Sequence, residues 1–173
     1  DFETYVIKMI SNYVDEGTKY YYINRNNIIQ PILNKELIDS LKERFYFLSE
    51  LSYISCGDGW YKIISDLSDK ILDMIPPESF KVVQIKEKFG GLRYYFELDQ
   101  KYGHVNHPYM MHEEDLESFN KRTEFIQKLS IVVMDAESNS YITCERCGKP
   151  ASSVVHNLYV QTLCDEHNCC RSI

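Results

Sequence analysis

Two short stretches carry the residue types that bind metal. Cys144-Glu145-Arg146-Cys147 is a C-x-x-C followed by Gly148, and Cys164-Asp165-Glu166-His167 is a C-x-x-H. Two pairs with this internal spacing supply three thiolates and one imidazole, the donor set of a tetrahedral structural zinc site. Gly148 lets backbone amides approach the sulfurs. An Fe–S cluster or free thiols are the competing readings. With four protein donors no position is left open for substrate, so the site reads as structural and not catalytic. A redox role for Cys144 and Cys147 would leave the second pair unexplained. Cys169 and Cys170 read as free thiols of a short tail. Between the pairs, residues 148–163 are long enough for a β-hairpin, which Val154, Val155, Leu158, Tyr159 and Val160 favour. That order predicts a treble-clef-like or zinc-ribbon-like module.

A second constellation lies at residues 81–93, where Lys81, Lys86, Lys88 and Arg93 face one carboxylate, Glu87. Alternation puts Lys86, Lys88 and Arg93 on the face of Gln84 and Tyr95. Cations beside a tyrosine suit a phosphate and a stacked base; the bland alternative is a solvated strand face. Gly90-Gly91 reads as the hairpin turn, since it lacks the strand–loop–helix context of a phosphate cradle. His104, His107 and His112 lie close in sequence, but their spacing matches no standard metal site, and surface histidines are the default. Asp58 reads as the cap of the helix that follows it, beside a core Trp60. No nucleophile elbow, Ser/His/Asp arrangement or paired-carboxylate motif is visible.

The elements that must position these groups follow from periodicity. Residues 2–14 have helical spacing, and 18–34 read as irregular or a short helix. Residues 35–54 form a helix with Leu37, Leu41, Phe45, Leu48 and Leu51 on one side. A third helix runs from about Trp60 to Ile75, stopped by Pro76-Pro77. The period then changes to two, predicting an antiparallel hairpin over 82–98. Residues 99–112 form a loop, and 113–138 a long helix with Leu116, Phe119, Ile126, Leu129, Val133 and Ala136 inward. The fold class is α+β, with helices packed on a small antiparallel sheet. The expected division is an α+β domain over 1–140 and a zinc module over 141–173. Within the first, residues 1–55 are expected to be helical and residues 56–140 to run helix, hairpin, helix.

With 173 residues the chain can bury a real core without relying on metal for all its stability. The formal charge of −7 argues against a non-specific nucleic-acid binder, which needs a basic field. No segment approaches the ~18 apolar residues of a membrane span. Three of the six cysteines have metal spacing and the others are irregular, which fits a reducing, cytoplasmic setting better than a disulfide framework.

CGDGWYKIISDLSDKI, VVQIKEKFGGLRYYFE and CERCGKP…TLCDEH occur in this order over residues 56–167. Together they resemble a family of small phage and bacterial proteins with no established activity. The resemblance implies zinc at Cys144, Cys147, Cys164 and His167, and a bacterial host cell as the setting. The first 55 residues and the 99–112 loop depart from its pattern. The expectation is therefore a non-enzymatic, zinc-braced binding protein that inhibits or sequesters a host or defence component. Its partner would be a protein or an anionic nucleotide-like ligand held by Lys86, Lys88, Arg93 and Tyr95. The alternative is a nucleotide- or nucleic-acid-processing enzyme using Asp58, His104 or His107. A homo-oligomer is expected on base rates only.

Overall fold

The computed structural model describes residues 21–23, 29–98, 113–156 and 159–168. In chain order the elements are β1 (Tyr21–Ile23), β2 (Ile29–Pro31), α1 (Lys35–Arg44), 3₁₀ turns at Tyr46–Leu48 and Asp58–Trp60, α2 (Tyr61–Asp73), β3 (Phe80–Lys88), β4 (Gly91–Leu98), α3 (Glu113–Ser140), β5 (Ser152–His156), β6 (Tyr159–Leu163) and α4 (Asp165–Asn168). The strands form three antiparallel pairs, β1–β2, β3–β4 and β5–β6. The class is α+β. The main core gathers Leu41 of α1, Trp60, Ile64, Leu67 and Ile71 around α2, Phe80, Val82, Ile85, Leu92 and Tyr94 of the β3–β4 hairpin, and Phe125, Leu129, Val133 and Ala136 of α3.

Local physics explains where the observed elements depart from the periodic reading. The stretch 18–34, expected to be irregular or a short helix, contains the β1–β2 pair. The helix predicted over 35–54 ends at Arg44, because Phe45 turns extended at φ −129° and ψ 99°. Phe45 and Phe47 are both buried. Two residues apart on a continuous helix they would point about 200° apart, so the chain breaks the helix and buries both through a 3₁₀ turn. The helix expected over 2–14 lies outside the described residues.

The hairpin forms, but its turn is one residue earlier than Gly90-Gly91. Lys88 pairs with Gly91. The two turn residues are therefore Phe89 and Gly90, both at positive φ, 56° and 76°, the signs a type I′ turn requires. The register also shifts between Val82 and Gln84. This bulge puts Val82 inward with Ile85 and leaves Val83 exposed, whereas strict alternation assigns Val82 to the face of Lys86 and Lys88.

Helix α3 is as long as predicted, but Leu116, Phe119 and Ile126 are exposed, at 45%, 50% and 37%. Phe125 takes the inward position instead, and residues 116–124 bury no side chain. The buried face runs through Phe125, Leu129, Val133 and Ala136, and Ile126 lies about 100° from Phe125 around the axis. The charges of this outer stretch satisfy one another along the helix, Lys121 with Glu117 and Lys128 with Glu124.

The segment carrying the first Cys pair is joined to the main body by backbone contacts. Gly59 N–H donates to Glu145 O at 2.8 Å. Gly57 N–H donates to Glu145 Oε1 at 3.1 Å, and Trp60 Nε1–H to Thr143 O at 2.8 Å. A Cβ on Gly59 would lie inside van der Waals contact of Cys144 O, 2.5 Å from Gly148 N and 2.6 Å from Cys147 N. The hairpin tip meets the same segment. Gly91 packs against the Tyr141 ring, Leu92 N–H donates to Ser140 Oγ at 2.8 Å, and Thr162 Oγ1–H donates to Gly90 O at 2.6 Å.

Replacing Gly59 by Ala is expected to lower global stability by about 2 kcal/mol or more, the scale of overpacking a closed contact. Urea unfolding followed at Trp60 measures this; an unchanged midpoint would show that the two backbones are not in contact in solution.

Candidate metal centre

The first Cys pair is held by a tight turn. Gly148 N–H returns to Cys144 O at 2.9 Å, and Cys144 N–H to Lys149 O at 2.8 Å. Gly148 takes φ +76°, which a side chain disfavours. The second pair sits where β6 passes into α4. His167 and Asn168 N–H both donate to Cys164 O, so this one-turn helix turns the imidazole back toward the Cys164 sulfur. Glu145 N–H bonds Thr162 O at 3.0 Å and ties the knuckle to β6.

Cys144, Cys147, Cys164 and His167 each offer one donor atom, all within 4.8 Å of one another. Cys147 Sγ lies 3.6 Å from Cys164 Sγ. His167 Nδ1 lies 3.4 Å from Cys144 Sγ and 3.2 Å from Cys164 Sγ. A tetrahedral ion with metal–sulfur bonds of ~2.3 Å and metal–nitrogen bonds of ~2.05 Å sets its donors about 3.6–3.8 Å apart. Three donor pairs, at 3.2–3.6 Å, lie near this spacing, and the group as a whole, within 4.8 Å, could hold a metal ion. Cys144 and Cys164 are buried, His167 is half-buried and Cys147 is exposed, so an ion would enter past Cys147.

Electrostatics of the free donors are uneven. Partial loss of hydration raises the otherwise exposed Cys147 thiol, a backbone N–H of Lys149 opposes this, and the Cys144 and Cys164 sulfurs raise it further, to about 11. At Cys164 burial also acts upward, but the N–H of His167, the two other thiols and the N–H of Glu166 outweigh it and bring the thiol below its ordinary value. Binding near neutral pH thus displaces a proton from Cys147, and affinity falls as pH drops.

The other candidate residues fall in different places. Lys86 and Arg93 are cross-strand partners, as are Gln84 and Tyr95. Lys86 Nζ lies 5.1 Å from the Tyr95 ring centroid, and Lys88 Nζ 5.3 Å from the Phe89 centroid. Arg93 is drawn into the joint with the metal module: it donates to Tyr141 Oη at 2.8 Å and to Leu92 O at 2.6 Å. The Tyr141 hydrogen bond is the largest of the causes that raise its guanidinium above the ordinary value. Lys86, Lys88 and Tyr95 remain the accessible portion of the face.

Asp58 does not cap α2. Its Oδ1 accepts from Asn34 N–H at 2.8 Å, and Asn34 caps α1 by accepting from Glu36 N–H. Cys56 is fully buried, and burial first, then the charges of Glu145, Asp58 and Glu87, push its thiol well up. The loop bearing His104, His107 and His112 lies outside the described residues, as do Cys169 and Cys170.

Sequence reasoning does not single out Glu145 or Tyr141. Glu145 reads as filler between two ligands, and only its burial and its hydrogen bonds to Gly57 and Gly59 in the fold show its role at that turn.

No family model, curated protein or solved structure matches this chain. Among the described residues no helix is long and apolar enough to cross a membrane.

Replacing Cys147 by Ser is expected to abolish tight metal binding and to lower the melting temperature by roughly 10 °C, since a structural metal contributes at least ~3 kcal/mol to folding. Trp60 is the only tryptophan, and it is fully buried and bonded to Thr143 O. Its emission should therefore shift red when a chelator strips the metal. A stripped protein with unchanged Trp60 emission would separate the module from the main core.

Proposed function

We propose that this chain is a non-enzymatic binding protein braced by one structural zinc ion. Zinc is favoured among metals because three thiolates and an imidazole are a usual donor set for structural zinc. The Cys pair on a tight turn, the β5–β6 hairpin and the Cys/His pair at the start of α4 make a treble-clef-like order of elements. The observation that carries this reading is the closure of the centre: all four donors belong to the chain, and the module's backbone is packed into the Gly57–Trp60 turn. A metal so placed holds surfaces in position and leaves no coordination site for a reacting group.

The surface it steadies is the outer face of the β3–β4 hairpin. Lys86, Lys88 and Tyr95 offer two cations and an accessible ring for an anionic, nucleotide-like ligand or a protein partner. On the motif resemblance the target class is a host or defence component, which the protein would inhibit or sequester. In the enzyme reading Asp58 would be a general acid or base, yet its carboxylate is committed to Asn34 N–H.

Native mass spectrometry of the purified protein tests this reading. The expected result is one zinc per chain and a retained mass in the nucleotide range. Lys86→Glu with Lys88→Glu should lose the retained mass and keep the zinc. A mass that survives the double change would remove the hairpin face as the site.

A further inference from the structure

The open end of the β3–β4 hairpin, remote from its tip, meets the 3₁₀ turn at Tyr46–Leu48. Between them lies a cavity of about 820 Å³ lined by aromatic rings and carboxylates. The rings form a continuous ladder. Tyr46 meets Phe47 at 5.3 Å between centroids, Phe47 meets Phe80 at 5.4 Å, and Phe80 meets Phe96 at 5.7 Å. Phe47 and Phe80 are buried and anchor the floor, whereas Tyr46 is 50% exposed. Tyr46 is held in place by its hydroxyl, which donates to Pro76 O at 3.2 Å.

The rim is acidic. Glu50, Glu78 and Glu97 line the cavity with a single cation, Lys81. Lys81 reaches Glu50 at 3.4 Å and Glu97 at 3.7 Å. These are long, solvent-exposed pairs, and such pairs contribute little. A guanidinium that binds a carboxylate through two parallel hydrogen bonds would displace Lys81 readily. Glu78 faces no cation among the described residues. Glu78 lines the same cavity as Tyr46, and its charge adds to burial in raising the Tyr46 phenol above its ordinary value.

Ring faces present negative potential to a cation, and carboxylates at the rim complete its coordination. The same surface repels phosphates and acidic peptides. The volume is that of a ligand-sized cleft and exceeds what one side chain needs, so the occupant is a segment and not a single amine. The chain's charge of −7 favours the approach of a basic partner.

We infer that this groove docks an extended arginine-bearing segment of a basic partner protein, with a guanidinium over the Tyr46–Phe96 ladder and between Glu78 and Glu97. The inference rests on the binding-protein reading but uses a surface separate from Lys86, Lys88 and Tyr95. The two therefore fail independently.

The test is fluorescence anisotropy with a labelled octapeptide alternating arginine and glycine, at about 0.15 M salt. A glutamate–glycine octapeptide is the control. The wild-type protein should bind the arginine peptide and not the control. Glu78→Gln with Glu97→Gln should weaken binding at least about tenfold, the size of one good charge-assisted contact, with Trp60 emission unchanged as evidence of an intact fold. Lys86→Glu with Lys88→Glu makes the chain more acidic but leaves the groove alone, so it should leave affinity unchanged. Binding that ignores the Glu78/Glu97 change, or that rises with the Lys86/Lys88 change, would mean attraction to net charge and would overturn the proposal. Leu98 lines the groove, and residues 99–112, which come next in sequence, include Lys101. Binding seen only after their replacement by a glycine–serine linker would assign the groove to the chain's own segment and would equally overturn docking of a partner.

Discussion

The backbone of the Cys144–Gly148 knuckle lies directly on the backbone of the Gly57–Trp60 turn, and at Gly59 there is room for a hydrogen atom and nothing larger. Close approach of two main chains leaves polar groups that water cannot reach, so each must find a partner within the joint. Gly59 N–H finds Glu145 O, Gly57 N–H finds the Glu145 carboxylate and the Trp60 indole finds Thr143 O. Glu145 is thus buried at the contact, its main chain and side chain both answering the same turn. The same residue reaches β6 through Thr162 O, so one glutamate connects the Gly57–Trp60 turn, the knuckle and the β5–β6 hairpin.

The four donor side chains inherit their positions from this arrangement. Cys144 is fixed by the turn that Gly148 permits, and Cys164 by the junction of β6 with α4. The two are brought together because Thr162 and Glu145 are paired. A metal held by these donors would therefore be coupled to packing of the main core through a few hydrogen bonds between residues far apart in sequence. A closed centre of this kind would act by holding backbone segments at fixed separation, and both proposed binding surfaces depend on that: along β3, Lys86 and Lys88 of the basic face lie five and seven residues from Lys81 of the acidic groove, roughly 17–23 Å. Opposite charge at the two ends of one hairpin lets a protein of net negative charge present a local cationic patch without spreading it over the surface.

Much of the site was legible because metal ligation is a local matter of residue type and spacing. Two pairs with two-residue gaps identify the donors whatever the rest of the chain does, and the structure brings those four side chains together. The β3–β4 hairpin was legible for a similar reason, since alternation over eight residues leaves few other ways to bury one face. In the outer part of α3 the pattern misled. Leu116, Phe119 and Ile126 have helical spacing with one another, but the face that packs is the one through Phe125, and only the position of the neighbouring hairpin and α2 selects it.

The chain's own pattern determined the candidate metal-donor set, the α+β class and the hairpin, because each depends on groups near in sequence. Tertiary structure alone decided that Phe89 and Gly90 make the turn, that Val82 faces inward through a bulge, that Asp58 serves α1 rather than α2, and that Arg93 joins Tyr141 instead of standing free. It also decided the meaning of the glycines. Gly59 and Gly91 look in sequence like loop and turn residues; in the fold they are the points where another segment's backbone or ring presses against the main chain. A residue chosen for what it leaves out carries no local signature, because the neighbours that need the space lie 85 to 89 residues away for Gly59 and 50 for Gly91.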